Sequence, residues 1–259
     1  MNDWGDGSYE LTAAQLEPVA AVVIDSVEPV AGRSLLDLAC GTGNASLQAA
    51  SRGAAVTGLD PAVRLLEVAR GRAAEAGVDV DWVEGDFHSL PFGDDSFDVV
   101  TSVFGVIFGA REDDVAAEIA RVLEPSGRLA LTTWVDTGTM STVGALIRAA
   151  VEETTDLPPA DRPRFEWGDE GDLRFLFANH GLSVQTETRQ LAFHADSPQQ
   201  MSDEWADNHP VWLATREAVG EDRYSTLRAE IVEALEAGNE DPSAMKLTSD
   251  YLVVTGSPV

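Results

Sequence analysis

The sequence predicts an α/β fold with a doubly wound, mostly parallel sheet, and three observations point to it. Short apolar runs alternate with amphipathic stretches through the first half of the chain. A glycine-rich turn, Cys40-Gly41-Thr42-Gly43-Asn44, follows the first buried run. Acidic residues stand at the ends of the next two runs, as Gly58-Leu59-Asp60-Pro61 and Gly85-Asp86-Phe87.

The elements are predicted as follows. An amphipathic helix near Leu11 to Val27 precedes Ser34 to Ala39 (SLLDLA), whose leucines on both faces predict a buried strand. The glycine turn then leads into a helix predicted over Asn44 to Arg52. A strand is expected over Ala55 to Leu59, a helix over Pro61 to Ala76 with the proline in its first turn, and strands over Val80 to Glu84 and Phe97 to Thr101. A helix near Asp113 to Leu123 is expected to stop at Glu124-Pro125-Ser126-Gly127, a turn signal ahead of the strand Arg128 to Trp134. Beyond Trp134, Met140 to Glu153 reads as helix, Leu157 to Gly168 as loop, Asp169 to Asn179 as helix with Gly181 behind it, and Ser183 to Phe193 as strand. Ser197 to Ala237 looks largely helical and Tyr251 to Thr255 is the last predicted strand. The layout is that of one domain over residues 1–259, with an N-terminal gate helix over about 1–30 and a helical lid or substrate wall inserted over about 196–247.

Composition limits the function. The 259 residues, 44% hydrophobic, suffice for a sizeable core, while the longest apolar stretches, such as Val19 to Ile24, fall far short of the ~20 residues that span a bilayer. The acidic, polar start, Met1 to Glu10, lacks the features of a secretory signal, and a cytoplasmic location is expected. A single cysteine, Cys40, excludes an internal disulfide and a multi-cysteine metal site, and no metal is expected. The formal net charge of -28, with Lys246 the only lysine, repels nucleic acids and anionic membranes. The expected partner is a small molecule, bound by a monomer or homodimer.

Glycines where the first strand turns into a helix remove side-chain bulk at the carboxyl ends of the strands, where α/β sheets bind nucleotides. An acid about 20 positions on, Asp60, can accept from both hydroxyls of a ribose. Asp86 can accept from an adenine amine while the ring packs on apolar neighbours. Each acid could instead cap a helix. A nicotinamide or flavin dinucleotide is the rival ligand, but its G-x-G-x-x-G turn is here GTGNAS, with Ser46 in place of the last glycine.

The stretches LLDLACGTGN, GLDPA, GDFHSLPF, FDVVTSVFGV and RVLEPSGRLALTTW resemble the successive motifs of class I S-adenosylmethionine-dependent methyltransferases. They are most similar to the small-molecule branch that includes ubiquinone/menaquinone-biosynthesis and natural-product enzymes. The likeness is clear over Leu35 to Trp134. It implies a Rossmann-like sheet of seven strands, the cofactor S-adenosylmethionine and the product S-adenosylhomocysteine. By the resemblance Asp37, Ala39 (in the first glycine position), Gly41 and Gly43 cradle the amino-acid end of the donor. Asp60 with Pro61 holds the ribose, Asp86 the adenine amine, and Phe87 flanks the ring. Ser102 and Val103 line the methionine end. Trp4 and Tyr9 lie in the segment that gates the donor in similar enzymes, or else staple the first helix.

Methyl transfer from a sulfonium is an in-line displacement with an activated donor, so the protein must chiefly align the reactants and exclude water. The acceptor site is therefore weakly marked. The sequence Thr101-Ser102-Val103-Phe104-Gly105 lacks the Asp/Asn-Pro-Pro-Tyr/Phe run of base-flipping enzymes. Val103 to Phe108 is apolar, which fits either a partly apolar substrate or the core. Val103, Phe104, Trp134 and Trp4 are the candidate substrate contacts. His209 and His194 are the candidate general bases, whereas His88 and His180 read as bystanders. A non-methyl-transfer reaction, such as a pericyclic step, and a binding module that retains the fold alone are the competing functions.

Overall fold

The computed structural model describes residues 4–109, 111–154 and 165–259. Seven strands form one sheet in the order β3-β2-β1-β4-β5-β7-β6. They are β1 (Ser34–Leu38), β2 (Ala55–Asp60), β3 (Val80–Glu84), β4 (Phe97–Val103), β5 (Leu123–Trp134), β6 (Leu182–Ala195) and β7 (Met245–Pro258). β1 to β5 pair in parallel, and β7 returns antiparallel to β5 from Leu129↔Gly256 to Trp134↔Tyr251. The helices are α1 (Glu10–Ser26), α2 (Asn44–Ser51), α3 (Val63–Ala76), α4 (Glu112–Val122), α5 (Gly138–Thr154), α6 (Glu170–Asn179), α7 (Pro198–Asn208), α8 (Pro210–Val219) and α9 (Glu221–Ala237).

The chain divides into two compact units. The first is built from Ala13–Trp134, Phe165–Arg189 and Tyr251–Val259. Its core explains the leucines of β1. Leu35, Leu36 and Leu38 are all fully buried, and Leu35 packs with Val23, Ile24 and Val27, Ala45 and Ala49, and the strand residues Val56, Val99 and Ala130. The second unit comprises the described residues of Met1–Thr12, Val135–Arg164 and Gln190–Asp250. There Trp205 of α7, Trp212 of α8, and Tyr224, Leu227, Ile231 and Leu235 of α9 are buried.

Several boundaries differ from expectation. Pro61 lies outside α3, because the Asp60 carboxylate accepts from Ala62 N at 2.8 Å and makes a turn there; Ala62 then precedes the helix. β4 runs two residues further than predicted, so Ser102 and Val103 belong to the strand. Glu124-Pro125-Ser126-Gly127 does not stand before β5 but inside it. The register jumps from Phe97↔Leu123 to Val99↔Arg128, so the four residues form a bulge that lets the chain pair before and after it. The helical stretch after Ser197 is cut into three pieces at His209-Pro210 and at Gly220, whose φ is +75°. β7 is much longer than Tyr251 to Thr255. Most of the predicted loop Leu157 to Gly168 lies outside the described residues.

Candidate functional site

The strand order reverses around β1, which has β2 on one side and β4 on the other. In open α/β sheets such a switch point leaves a crevice beyond the carboxyl ends of the strands. Both strand ends here are strained. Ala39, just after β1, has φ +50°, and Phe104, just after β4, has φ +55°. A left-handed backbone costs a residue with a Cβ roughly 1–2 kcal/mol and persists only where the surroundings impose it. The two ends touch through Gly105, where a Cβ would lie 2.4 Å from Ala39 Cβ and 3.1 Å from its carbonyl oxygen. The position that the resemblance assigns to glycine is thus one that needs a positive φ.

The remaining glycines of the turn have different tasks. Gly41 N donates to Asp60 Oδ2 at 2.8 Å, which joins the turn after β1 to the tip of β2. Gly43, at φ +85°, leaves room for an indole: a Cβ there would meet Trp82 Cη2 at 2.8 Å. Arg72 of α3 clamps the same turn, donating to Thr42 O at 2.9 Å, Thr42 Oγ1 at 3.1 Å and Asn44 Oδ1 at 2.7 Å. Neither Arg72 nor Trp82 carries a local sequence signal for this work.

Asp37 lies beneath the turn, buried to 1% exposure. Its carboxylate accepts from Ser46 Oγ at 2.6 Å and Thr101 Oγ1 at 3.2 Å, so Ser46, absent from the dinucleotide motif, has a structural partner. Burial pushes the Asp37 carboxyl up to about 6, with these hydroxyls pulling the other way. A raised carboxyl favours the folded state while protonated. The contribution is present below about pH 4 and is lost as pH rises through about 6. Asp37→Asn is therefore expected to remove a pH-dependent loss of about 3 kcal/mol between pH 4 and 7, read as a flatter profile in urea unfolding.

Asp60 is 4% exposed, and each of its oxygens already accepts a backbone N–H, from Gly41 and Ala62. Burial raises its carboxyl above the ordinary value against the pull of those two bonds. Each oxygen keeps a second lone pair. Asp86 is the accessible acid, with its side chain 60% exposed. Partial burial pushes its carboxyl up, but the backbone N–H and ring of His88, with Arg111, together hold it below the ordinary value. Phe87 beside it is buried, 4.7 Å from the His88 ring.

Beyond β4 the apolar segment Val103 to Phe108 serves the core in part, with Phe104 and Val106 buried and Phe108 exposed. Ser102 is fully buried; its Oγ donates to Leu38 O at 2.8 Å and accepts from Val106 N at 3.3 Å, bracing two strand ends where a methionine wall was expected. Val103 packs against the core cluster and Val106 is fully buried. Phe104 and Trp134 do come together, stacked at 3.8 Å and 3° between planes. Tyr251, which sequence reasoning missed, meets both edge-on at 5.6 and 6.3 Å. Its signal is only the β5–β7 register, Trp134↔Tyr251.

Trp4, Tyr9 and His209 belong to the helical unit and form one aromatic cluster, with centroids 5.3, 5.7 and 5.9 Å apart. His209 is corrected as a candidate base. Its Nδ1 accepts from Val211 N at 3.2 Å and caps α8, so the remaining nitrogen of the neutral ring carries the proton. Burial pushes the ring down to about 4, which keeps it neutral. His209→Asn, which still caps, is expected to retain activity within about threefold, whereas His209→Ala loses about 1 kcal/mol of stability in thermal melts. His194 is exposed on β6, where the alternation of the strand buries Leu191 and Phe193.

Among the described residues no group of three or more His, Cys, Asp or Glu side chains could hold a metal ion, and no helix is long and apolar enough to cross a membrane. Residues 35–127 match the family described as Methyltransferase domain. An uncharacterized protein of Mycobacterium tuberculosis is 33% identical over 189 residues, 73% of this chain and 68% of that protein. A demethylmenaquinone methyltransferase of Clavibacter sepedonicus is 45% identical over 107 residues, 41% of this chain and 43% of that enzyme. A solved structure of a putative methyltransferase from Bacillus halodurans superposes with a TM-score of 0.65 at 15% identity, covering 93% of this chain and 99% of its own.

Proposed function

The chain belongs to the class I S-adenosylmethionine-dependent methyltransferases, and on that premise we propose that it transfers a methyl group to an oxygen, nitrogen or carbon of a small, partly apolar metabolite. The observation that carries this reading is the lock between Asp60 Oδ2 and Gly41 N, which sets a carboxylate beside the left-handed turn at the switch point. The donor set fits an adenosyl sulfonium. Asp60 keeps lone pairs for ribose hydroxyls, Asp86 offers an accessible carboxylate to the adenine amine, and Phe87 supplies an apolar flank. The left-handed Ala39 and Gly41 aim backbone groups where the amino-acid end would lie. When bound, S-adenosylmethionine supplies a methyl group already activated on a cationic sulfur.

The protein's own work is alignment and the exclusion of water. Phe104 and Trp134, backed by Tyr251, form a rigid aromatic platform at the ends of β4 and β5, and the half-buried Trp134 is its contact face toward an acceptor. The net charge of -28 favours this cationic donor and a neutral or cationic acceptor over nucleic acid. A general base is not assigned, since the His209 ring is buried and used as a helix cap.

Calorimetric titration with S-adenosylhomocysteine tests the donor site: binding in the micromolar range is expected, and well-folded protein that takes up none at millimolar ligand defeats the reading. Chromatography of turnover mixtures with candidate metabolites tests the reaction. Release of S-adenosylhomocysteine in step with product is expected; turnover without it would assign the fold to a different chemistry, such as a pericyclic step.

A further inference from the structure

The His88 ring takes no part in the reading so far, yet its geometry is tightly determined. Both its backbone N–H, at 2.9 Å, and its ring Nδ1, at 2.6 Å, are bonded to one and the same oxygen, Oδ1 of Asp86. An ionised carboxylate only accepts, so Nδ1 carries the proton and the tautomer is set. Nε2 is buried and has no hydrogen-bond partner among the described residues. Such orphaned groups are rare and persist where something else holds the ring in place. Here the side chain is 9% exposed and lies against Phe87. Phe87 is itself held from behind, since even a Cβ on Gly109 would come within 3.1 Å of Phe87 Cε2.

Asp86, by contrast, is largely exposed, and a free surface aspartate samples several rotamers. Two bonds to Oδ1 remove that freedom and leave Oδ2 with no hydrogen bond or ion pair among the described residues. We propose that His88 is a positioning residue that holds the Asp86 carboxylate with Oδ2 presented to the six-position of the donor's purine, and so makes the site select an amino over an oxo group there. A carboxylate oxygen attracts an exocyclic N–H and repels a carbonyl oxygen, so a fixed Oδ2 discriminates where a mobile one would swing aside. The inference rests on the reading that Asp86 meets the adenine amine.

Calorimetric dissociation constants for S-adenosylhomocysteine and S-inosylhomocysteine test it on the full chain, with wild type, His88→Leu and His88→Asn. Wild type should prefer the adenosyl ligand. His88→Leu should cut that preference about tenfold while leaving the inosyl ligand nearly unchanged, the size expected for one weakened charge-assisted hydrogen bond. His88→Asn, whose amide nitrogen stands near the place of Nδ1, should restore most of it. In an Asp86→Asn background the His88→Leu effect should vanish, because the two changes act through one contact. If folded His88→Leu keeps the wild-type ratio, the ring merely packs and the proposal falls. If wild type binds S-adenosylhomocysteine with no preference over the inosyl ligand, it is the placement of Asp86 at the adenine that fails.

Discussion

Replacing Gly105 with alanine is expected to cost about 3 kcal/mol and to lower the melting temperature by roughly 6–12 °C, one of the two largest effects we predict. The cause is steric alone. Gly105 has φ -86° and ψ -50°, an ordinary right-handed conformation that alanine adopts without strain. What forbids the methyl group is its neighbours: Ala39 Cβ at 2.4 Å, Ala39 O at 3.1 Å and Ser102 Oγ at 3.1 Å, where real Cβ atoms do not come within 3.0 Å. Ala39 cannot yield easily, because it is already held left-handed, and Ser102 is tied to Leu38 and Val106. The same displacement would disturb the turn that Gly41 anchors to Asp60, so affinity for S-adenosylhomocysteine should fall as well. A second change gives the diagnostic control. Ala39→Gly removes both the closest contact and the left-handed strain, so the double variant should regain most of the lost stability, a coupling expected only of touching residues. A single variant that melts within about 2 °C of wild type would show that the strand ends do not meet in this way.

Asp60→Ala should produce two losses that can be measured apart. By sequence alone the carboxylate is a ligand group, and its removal should weaken donor binding while the fold stays intact. The structure adds a second consequence. Both oxygens accept buried backbone N–H groups, and truncation leaves Gly41 N and Ala62 N without partners, at about 1–3 kcal/mol each. The melt should therefore drop by several degrees, and affinity for S-adenosylhomocysteine should fall about a hundredfold or more. Asp60→Asn should lie between, since an amide oxygen can accept one of the two donors and its NH2 group opposes the other. Unchanged affinity in folded Asp60→Ala protein would remove the ribose from this position. An unchanged melt would remove the lock.

Much of this molecule was legible from residue order. The double burial of β1 is written in Leu35, Leu36 and Leu38, and the parallel sheet in the alternation of such runs with helical stretches. Asp60 and Asp86 were legible as acids at strand ends, because a strand, its turn and the next helix are neighbours in sequence. The errors arose where a local signal had a competing use. Pro125 and Gly127 signal a stop, yet pairing on both sides carries β5 through them as a bulge. His209, read as a candidate general base within the helical lid, instead turns a ring nitrogen to the first turn of α8.

By itself the sequence determined the strands, the glycine turn and the acids at the strand tips, since each follows from side-chain periodicity or backbone permission within a few consecutive residues. Only the tertiary structure decided which of those groups stand open and which are used up. It set Trp82 against Gly43, Arg72 on Thr42, Ser46 under Asp37 and Ala39 against Gly105. The physical reason is that such partners are chosen by strand order and register, and these bring together residues whose separation along the chain carries no local pattern.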